Sequence, residues 1–245
     1  MPRGPEKVAT LEGIRPVIEA IRAGRRRVHL VRVPRSPGST PGLRELLEVA
    51  AAAGIPVEAT RQDRVSAAAD PYPELEFEQL LGAEPAWLLA LDRVTDVGNL
   101  GSLARSAEIA GVDGLVLESR RSPPINAGAL RASAGALEHL QVARAVNLRR
   151  ALELARAEGY RILVADATGQ QISHLPGEGL ESRLILVLGS EDRGVREGIR
   201  QLADAVVGIP QLGRTGSLGV AAAGAYLVLR LAELRGPGAG TRENP

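Results

Sequence analysis

The hydrophobic positions of the first sixty residues follow helical and strand spacing in turn. Apolar residues with helical spacing come first: Val17, Ile18 and Ile21. Gly24 ends that predicted helix. The segment RVHLVRV at 27–33 alternates apolar and polar residues, as a half-buried strand does. A second helical stripe consists of Leu43, Leu46, Leu47 and Ala50. These periods predict a small α/β domain over residues 1–65.

The rest of the chain repeats a strand, a loop and a helix. Residues 66–85 are rich in proline and acidic residues and have no clear period, which indicates a linker. Apolar runs predict strands at 86–91, 114–119, 161–167, 183–189 and 206–210. Helices are predicted at 99–110, 147–158 and 217–234. Because the apolar runs are uninterrupted, they favour a parallel sheet covered on both faces, in a doubly wound domain over 86–235. The segment 236–245 is predicted to be a disordered tail.

Composition narrows the classes of protein that remain. The chain has no cysteine, so disulfides, thiolate metal sites and cysteine nucleophiles are excluded. His29, His139 and His174 are scattered without metal-ligand spacing, and we expect no metal. Aromatic residues make up 2% of the chain, too few for a base-stacking platform. No run of eighteen apolar residues and no apolar N-terminal segment occur, so we expect a cytoplasmic protein without a membrane segment.

Charge is concentrated at the N-terminus. Residues 1–44 contain ten Lys or Arg and three Glu, a net charge of +7, whereas residues 45–80 carry −6. A basic segment of this kind is typical of proteins that bind a phosphate backbone, and a solvated arginine-rich surface has the same composition. On charge alone both interpretations stay open. If RNA binds here, the predicted contacts are Arg22, Arg25, Arg26 and Arg27.

Three loops that leave predicted strands carry unusual residues: DRVTDVGNLGSLARSAEIAG at 92–111, LVLGSEDRGV at 186–195 and IPQLGRTGSLGVAAAGAYLVL at 209–229. In open α/β sheets, ligands bind outside the carboxyl ends of the strands, so we expect these loops to converge. Asn99 and Ser217 are predicted as helix caps. Each loop alone also fits an ordinary capped helix or βα turn. Neither GxxxxGK[ST] nor a GxGxxG after a strand is present, so the common nucleotide motifs are missing.

Together and in this order, the three loops resemble the three motifs of the SpoU family of tRNA and rRNA ribose methyltransferases, in the SPOUT superfamily. RASAGALEHLQVARAVNL at 131–148 is similar to the family's segment between motifs. The resemblance covers roughly 86–235, and residues 11–60 resemble, less distinctively, the family's N-terminal substrate-binding domain.

The resemblance implies a C-terminal domain with a trefoil knot, a homodimer and S-adenosyl-L-methionine as co-substrate. It implies 2′-O-methylation of a ribose in rRNA or tRNA. Carried onto this chain, the implied catalytic or RNA-orienting residues are Asn99, Arg105, Glu191 and Ser217. The implied cofactor-binding residues are Gly189, Ile209, Leu218 and Gly219.

Two positions depart from the family pattern. Gly219 stands where the family usually has asparagine, and Asp192 stands where it usually has glycine. From the missing amide we expect Gly219→Asn to bind the cofactor equally well or better. Gly219 also motivates an alternative, a non-catalytic RNA-binding relative. A third interpretation is an α/β enzyme acting on a small nucleotide. The presence of Asn99, Arg105 and Glu191 together with Ser217 favours the RNA methyltransferase.

Overall fold

In a computed structural model, the chain divides into two compact units. The structure describes residues 8–36, 38, 40–84, 86–176, 180, 183–214 and 218–236. The first unit contains the residues up to Pro73 and also Pro124–His139; the second contains Glu74–Pro123 and the residues from Leu140 onward. The first unit is therefore built from two separate stretches of chain.

The structure has the following elements in its described residues. The helices are α1 (Ile14–Ala23), α2 (Pro41–Ala52), α3 (Phe77–Gly82), α4 (Val97–Ile109), α5 (Ala127–Ala132), α6 (Leu148–Ala157), α7 (Glu197–Arg200) and α8 (Val220–Arg235). The strands are β1 (Ala9–Glu12), β2 (Val28–Pro34), β3 (Val57–Thr60), β4 (Ser66–Ala69), β5 (Leu75–Glu76), β6 (Trp87–Asp92), β7 (Gly114–Glu118), β8 (Gln141–Ala145), β9 (Arg161–Gln171), β10 (Leu184–Gly189) and β11 (Ala205–Gly208). Two 3₁₀ turns span Ala136–His139 and Ile172–His174.

The first unit is a four-stranded mixed sheet with the order β1-β4-β2-β3. Helix α1 buries Val17 and Ile18 and ends at Gly24, which has a φ of 60°. Thr40 caps α2 by accepting a hydrogen bond from the Leu43 backbone. The α/β character predicted for this segment is therefore present.

Residues 66–85 differ from the predicted linker, because they contain β4, β5 and α3. Strand β4 pairs with both β1 and β2, so it is an inner strand of the first sheet. Its sequence, SAAA, has no apolar–polar alternation that could reveal a strand. Helix α3 begins with a capping box between Glu76 and Gln79.

The second unit contains a seven-stranded sheet with the order β11-β9-β10-β6-β7-β8-β5, in which every pair is parallel. Ile185 and Val187 of β10 lie in one core cluster with residues of α3, α6 and α7. Leu188, on the opposite face of the strand, approaches α8 at Gly224. The predicted parallel sheet with two covered faces is confirmed. Among the described residues, no helix is long and apolar enough to span a membrane.

Candidate functional site

The carboxyl edge of the large sheet carries a cavity of about 330 Å³. It lies where β10 and β11 end and α8 begins, beside residues 165–167 in the middle of β9. Apolar side chains line part of it: Ala165, Leu188, Val207 and Leu227. Charged side chains in the lining are Asp166, Glu191 and Arg193. The cavity thus combines apolar walls with two carboxylates and one guanidinium.

The structure brings together five of the residues singled out in the sequence. Gly189, Glu191, Ile209, Leu218 and Gly219 all line this cavity. They come from two of the three loops, which converge as the parallel topology requires. Asn99 and Arg105 are not part of the lining, and Ser217 lies outside the described residues.

A glycine is required at position 189, because another part of the backbone passes very close to it. A Cβ atom at this position would overlap the backbone of Gly194 and Val195. The chain after β10 makes a tight turn here, in which the Gly194 N–H donates to the Ser190 carbonyl at 2.8 Å. This turn folds back over the strand end and places Glu191 at the cavity.

The same turn is fixed on its other side by Arg196. The Arg196 backbone N–H and Nε both donate to the Asp92 carboxylate at 2.8 Å, and its Nη2 pairs with Glu118. Burial alone would lower the pKa of Arg196, but its hydrogen bonds to Asp92 and Glu118 raise it. Asp92 and Glu118 are buried at the ends of β6 and β7. Arg196 therefore anchors the turn to two neighbouring strands, and no pattern along the chain predicts this ion pair.

Glu191 caps α8. Its Oε1 accepts a hydrogen bond from the Val220 backbone N–H at 3.0 Å. Gly219, the residue before the helix, has φ 76° and ψ 148°, a region that only glycine adopts readily. A Cβ at 219 would also lie 3.1 Å from Glu191 Oε1. The expectation that Gly219→Asn binds cofactor equally well or better stays a prediction, and the backbone argues against it, because asparagine would be strained and crowded here.

Helix α4 begins differently from the prediction. Asp96, not Asn99, is its cap, and the Asn99 backbone N–H donates to Asp96 Oδ1 at 2.7 Å. Asp and Asn both favour the cap position, so residue type alone does not distinguish Asp96 from Asn99. Arg105 lies two turns into the helix and is exposed. Within the described part of the chain its guanidinium has no hydrogen bond or ion pair, so it is available to a ligand.

Asp166 is a lining residue that the sequence did not single out. A hydrogen bond from the Thr168 hydroxyl lowers the pKa of Asp166, and the nearby Arg200 acts in the same direction. Asp166 is therefore ionised at neutral pH. No group of three or more His, Asp or Glu side chains with metal-site geometry occurs among the described residues.

The arginines predicted to bind RNA are held inside the first unit to different degrees. Arg26 is buried and forms an ion pair with Glu138, so its prediction as an RNA contact is wrong. Arg25 donates to the Tyr72 hydroxyl, and burial raises the pKa of Tyr72 to about 12. Arg22 pairs with Glu45 at 2.8 Å, and Arg27 is exposed. A count of charges could not reveal these pairings.

This fold and site define an α/β protein with a small-ligand cavity at the carboxyl edge of a parallel sheet. Residues 86–229 match the SpoU rRNA Methylase family. The protein belongs to this family, as its three motif loops predicted.

Relatives and solved structures agree with this membership. An uncharacterized tRNA/rRNA methyltransferase of Archaeoglobus fulgidus is 36% identical over 228 residues, which cover 89% of this chain and 96% of that protein. The structure of the SpoU methyltransferase AviRb from Streptomyces viridochromogenes, in complex with AdoMet, has a TM-score of 0.75 at 23% identity and covers 93% of this chain and 90% of that one. An RNA 2′-O ribose methyltransferase has a TM-score of 0.73 at 20% identity, covering 94% and 90%. At these identities the two structures establish the fold.

Proposed function

We propose that this protein transfers a methyl group from S-adenosyl-L-methionine to a ribose 2′-oxygen of tRNA or rRNA. The observation that carries the proposal is the convergence of the second and third motif loops on one cavity. The relative from Archaeoglobus fulgidus is named a tRNA/rRNA methyltransferase, AviRb binds AdoMet, and a third protein of this fold is a 2′-O ribose methyltransferase. The first name supports tRNA or rRNA as the substrate, the second supports S-adenosyl-L-methionine as the cofactor, and the third supports the ribose 2′-oxygen as the acceptor atom.

The residues at the cavity fit the proposed cofactor. A volume of about 330 Å³ is in the range of small-molecule sites. The apolar walls suit an adenine ring, and the carboxylates of Asp166 and Glu191 suit the positive charge of a sulfonium and an ammonium group. When bound, S-adenosyl-L-methionine supplies a methyl group on positively charged sulfur, which an oxygen nucleophile can displace.

The chain's own contribution is to position the RNA and to stabilise negative charge on the 2′-oxygen. We assign the charge-stabilising role to Arg105, because its cationic guanidinium is exposed and has no partner among the described residues. Asn99 and Ser217 complete the proposed RNA-orienting group. Arg120 and Arg121, directly after β7, are exposed at the same edge and add positive charge there.

The family resemblance also supports three structural proposals. We assign a trefoil knot to the second unit and RNA-substrate binding to the first.

We further propose a homodimer, because Ala222, Tyr226 and Leu229 form an exposed stripe on α8. Tyr226 and Leu229 are each 42% exposed. Light scattering should give a dimer mass that Tyr226→Asp reduces to a monomer; a wild-type monomer at micromolar concentration would contradict the dimer.

Titration calorimetry with the full chain and S-adenosyl-L-methionine tests the cavity, and methyl transfer to unfractionated tRNA and to rRNA tests the reaction. The full chain is required because the second stretch of the first unit, 124–139, lies within 86–235. We expect Arg105→Ala to bind cofactor normally and to lose transfer. Cofactor and RNA binding without transfer in the wild type would favour the non-catalytic alternative, and normal turnover of Arg105→Ala would remove that residue from the mechanism.

A further inference from the structure

The first unit carries four arginines without acidic partners at one edge of its sheet. Arg35 follows β2, Arg44 lies in the first turn of α2, and Arg61 and Arg64 lie in the loop between β3 and β4. All four are exposed. Among the described residues, none of their guanidinium groups makes a hydrogen bond or an ion pair. We call these four residues the carboxyl-edge patch.

The topology places the members of the patch close together. Strands β2 and β3 are parallel, with Pro34 opposite Thr60, so both end at the same edge. The Arg35 backbone N–H donates to the Thr60 carbonyl at 3.0 Å, which joins the loop after β2 to the end of β3. Strand β4 starts at this edge, since Ser66 pairs with Arg32. Arg35, Arg61 and Arg64 thus lie within about two strand spacings, or roughly 10 Å.

The other arginines of this unit show that the patch is not a general property of its surface. Arg15 and Arg22 share Glu45, Arg26 pairs with Glu138, and Arg131 pairs with Glu12. Arg25 donates to the Tyr72 hydroxyl. Arg27 and Arg32 have no ion pair among the described residues, but each has an acid nearby. Arg27 donates its backbone N–H to Asp70, and Arg32 lies opposite Glu58. The patch has acids nearby as well, Asp63 between Arg61 and Arg64 and Glu48 one turn after Arg44, but among the described residues neither pairs with an arginine.

We propose that the carboxyl-edge patch binds the phosphate backbone of the RNA substrate. The inference rests on the proposed function and deepens it, because it moves the RNA surface away from Arg22–Arg27 at the amino end of β2. Guanidinium groups bind phosphate oxygens through two parallel N–H donors, and they need no carboxylate partner when phosphates are present. Such contacts recognise the phosphate backbone of the RNA and do not by themselves distinguish one nucleotide sequence from another.

The experiment compares two double variants of the full chain that lose the same charge. Arg61→Gln/Arg64→Gln removes two members of the patch, and Arg22→Gln/Arg27→Gln removes two exposed arginines from the predicted opposite edge. Binding to unfractionated tRNA and to rRNA is measured separately by filter binding, without cofactor, between about 50 and 200 mM salt. Each lost phosphate contact should reduce the salt slope by about 0.7–0.9, so the patch variant should lose about 1.4–1.8 and bind about tenfold more weakly.

The Arg22→Gln/Arg27→Gln control should change little. The proposal is overturned if the patch variant keeps the wild-type slope, or if the control loses as much affinity as the patch variant. Calorimetry with S-adenosyl-L-methionine and the methyl-transfer assay, both on the same samples, separate this result from the proposed function. A reduced slope in a protein that never transfers methyl groups would support the patch alone, and methyl transfer with an unchanged slope would support the function alone.

Discussion

The cavity of the second unit and the segment Arg22–Arg27 of the first differ in what their polar groups contact. At the cavity, Glu191 and Asp166 line open space while the backbone around Gly189 is tightly packed. In the basic segment the opposite holds for Arg26, whose side chain is 2% exposed and bound to Glu138. The difference teaches that charged side chains can serve a ligand where they border an opening, even when they also have internal partners, and that charge alone does not identify such a site. Four variants test this contrast.

The largest effect is expected for Gly189→Ala. The new methyl group would overlap the backbone of Gly194 and Val195, so the turn that carries Glu191 has to move. We expect calorimetry to show no binding of S-adenosyl-L-methionine and thermal unfolding to occur at lower temperature. Gly213→Ala is the control, because its Cβ would meet nothing within 4 Å. Wild-type affinity in Gly189→Ala would show that this turn does not shape the cavity.

Arg26→Ala should destabilise the first unit strongly, because it leaves Glu138 buried without its partner. Removing one member of a buried ion pair typically costs about 3–5 kcal/mol in the free energy of unfolding. Arg22→Ala, which removes a surface pair, should cost about 1 kcal/mol or less. Urea unfolding followed by circular dichroism measures both. Equal costs for the two variants would mean that the Arg26–Glu138 pair is solvated.

Gly219→Asn should weaken cofactor binding about tenfold, since a non-glycine residue in this backbone region costs about 1–3 kcal/mol. Glu191→Ser in the same chain removes the carboxylate that the new side chain would crowd. The double variant should therefore lose less than the sum of the two single losses. Additive losses would show that Glu191 and position 219 are independent. Tighter binding by Gly219→Asn alone would mean that the α8 terminus rearranges to accept asparagine.

The smallest effect concerns Asp166. Thr168→Val removes the hydrogen bond that lowers the pKa of Asp166, so that pKa should rise toward 3.8. Because the folded-state pKa is depressed, its stabilising effect is present above the unfolded value and is lost as pH falls through the folded one. Wild type and Thr168→Val should differ slightly in stability near neutral pH and converge in acid. A difference that grows on acidification would contradict this assignment.

The cavity could be predicted from the sequence because its determinants are local. Gly189 ends an apolar strand, and Gly219 precedes an apolar helix. The residues next to each glycine along the chain are therefore enough to locate the end of the strand and the start of the helix. The family motifs then specify which termini belong together. The seven-stranded parallel sheet follows from uninterrupted apolar runs for the same reason.

What the sequence could not predict depends on partners distant along the chain. Arg26 is 112 residues from Glu138, and Arg196 is 104 residues from Asp92. Strand β4 cannot be recognised in the sequence, because its alanines are compatible with helix, strand and loop alike. Both of its faces are largely buried, so it also has no apolar–polar alternation. The positive φ of Gly219, which argues against asparagine at this position, is likewise visible only in the folded chain.

The distance between Arg26 and Glu138 also sets an order for synthesis of the protein. Ribosomes add about 5–20 residues per second, so Glu138 emerges roughly 6–22 seconds after Arg26. Late in that interval, once β4 has been made, all four strands of the first sheet are present, but α5 and the partner of the buried arginine are still missing. Strands β6 and β7 of the second unit are translated in the same interval. The N-terminal unit is therefore the first to begin folding, but it cannot be completed until part of the methylase unit has left the ribosome.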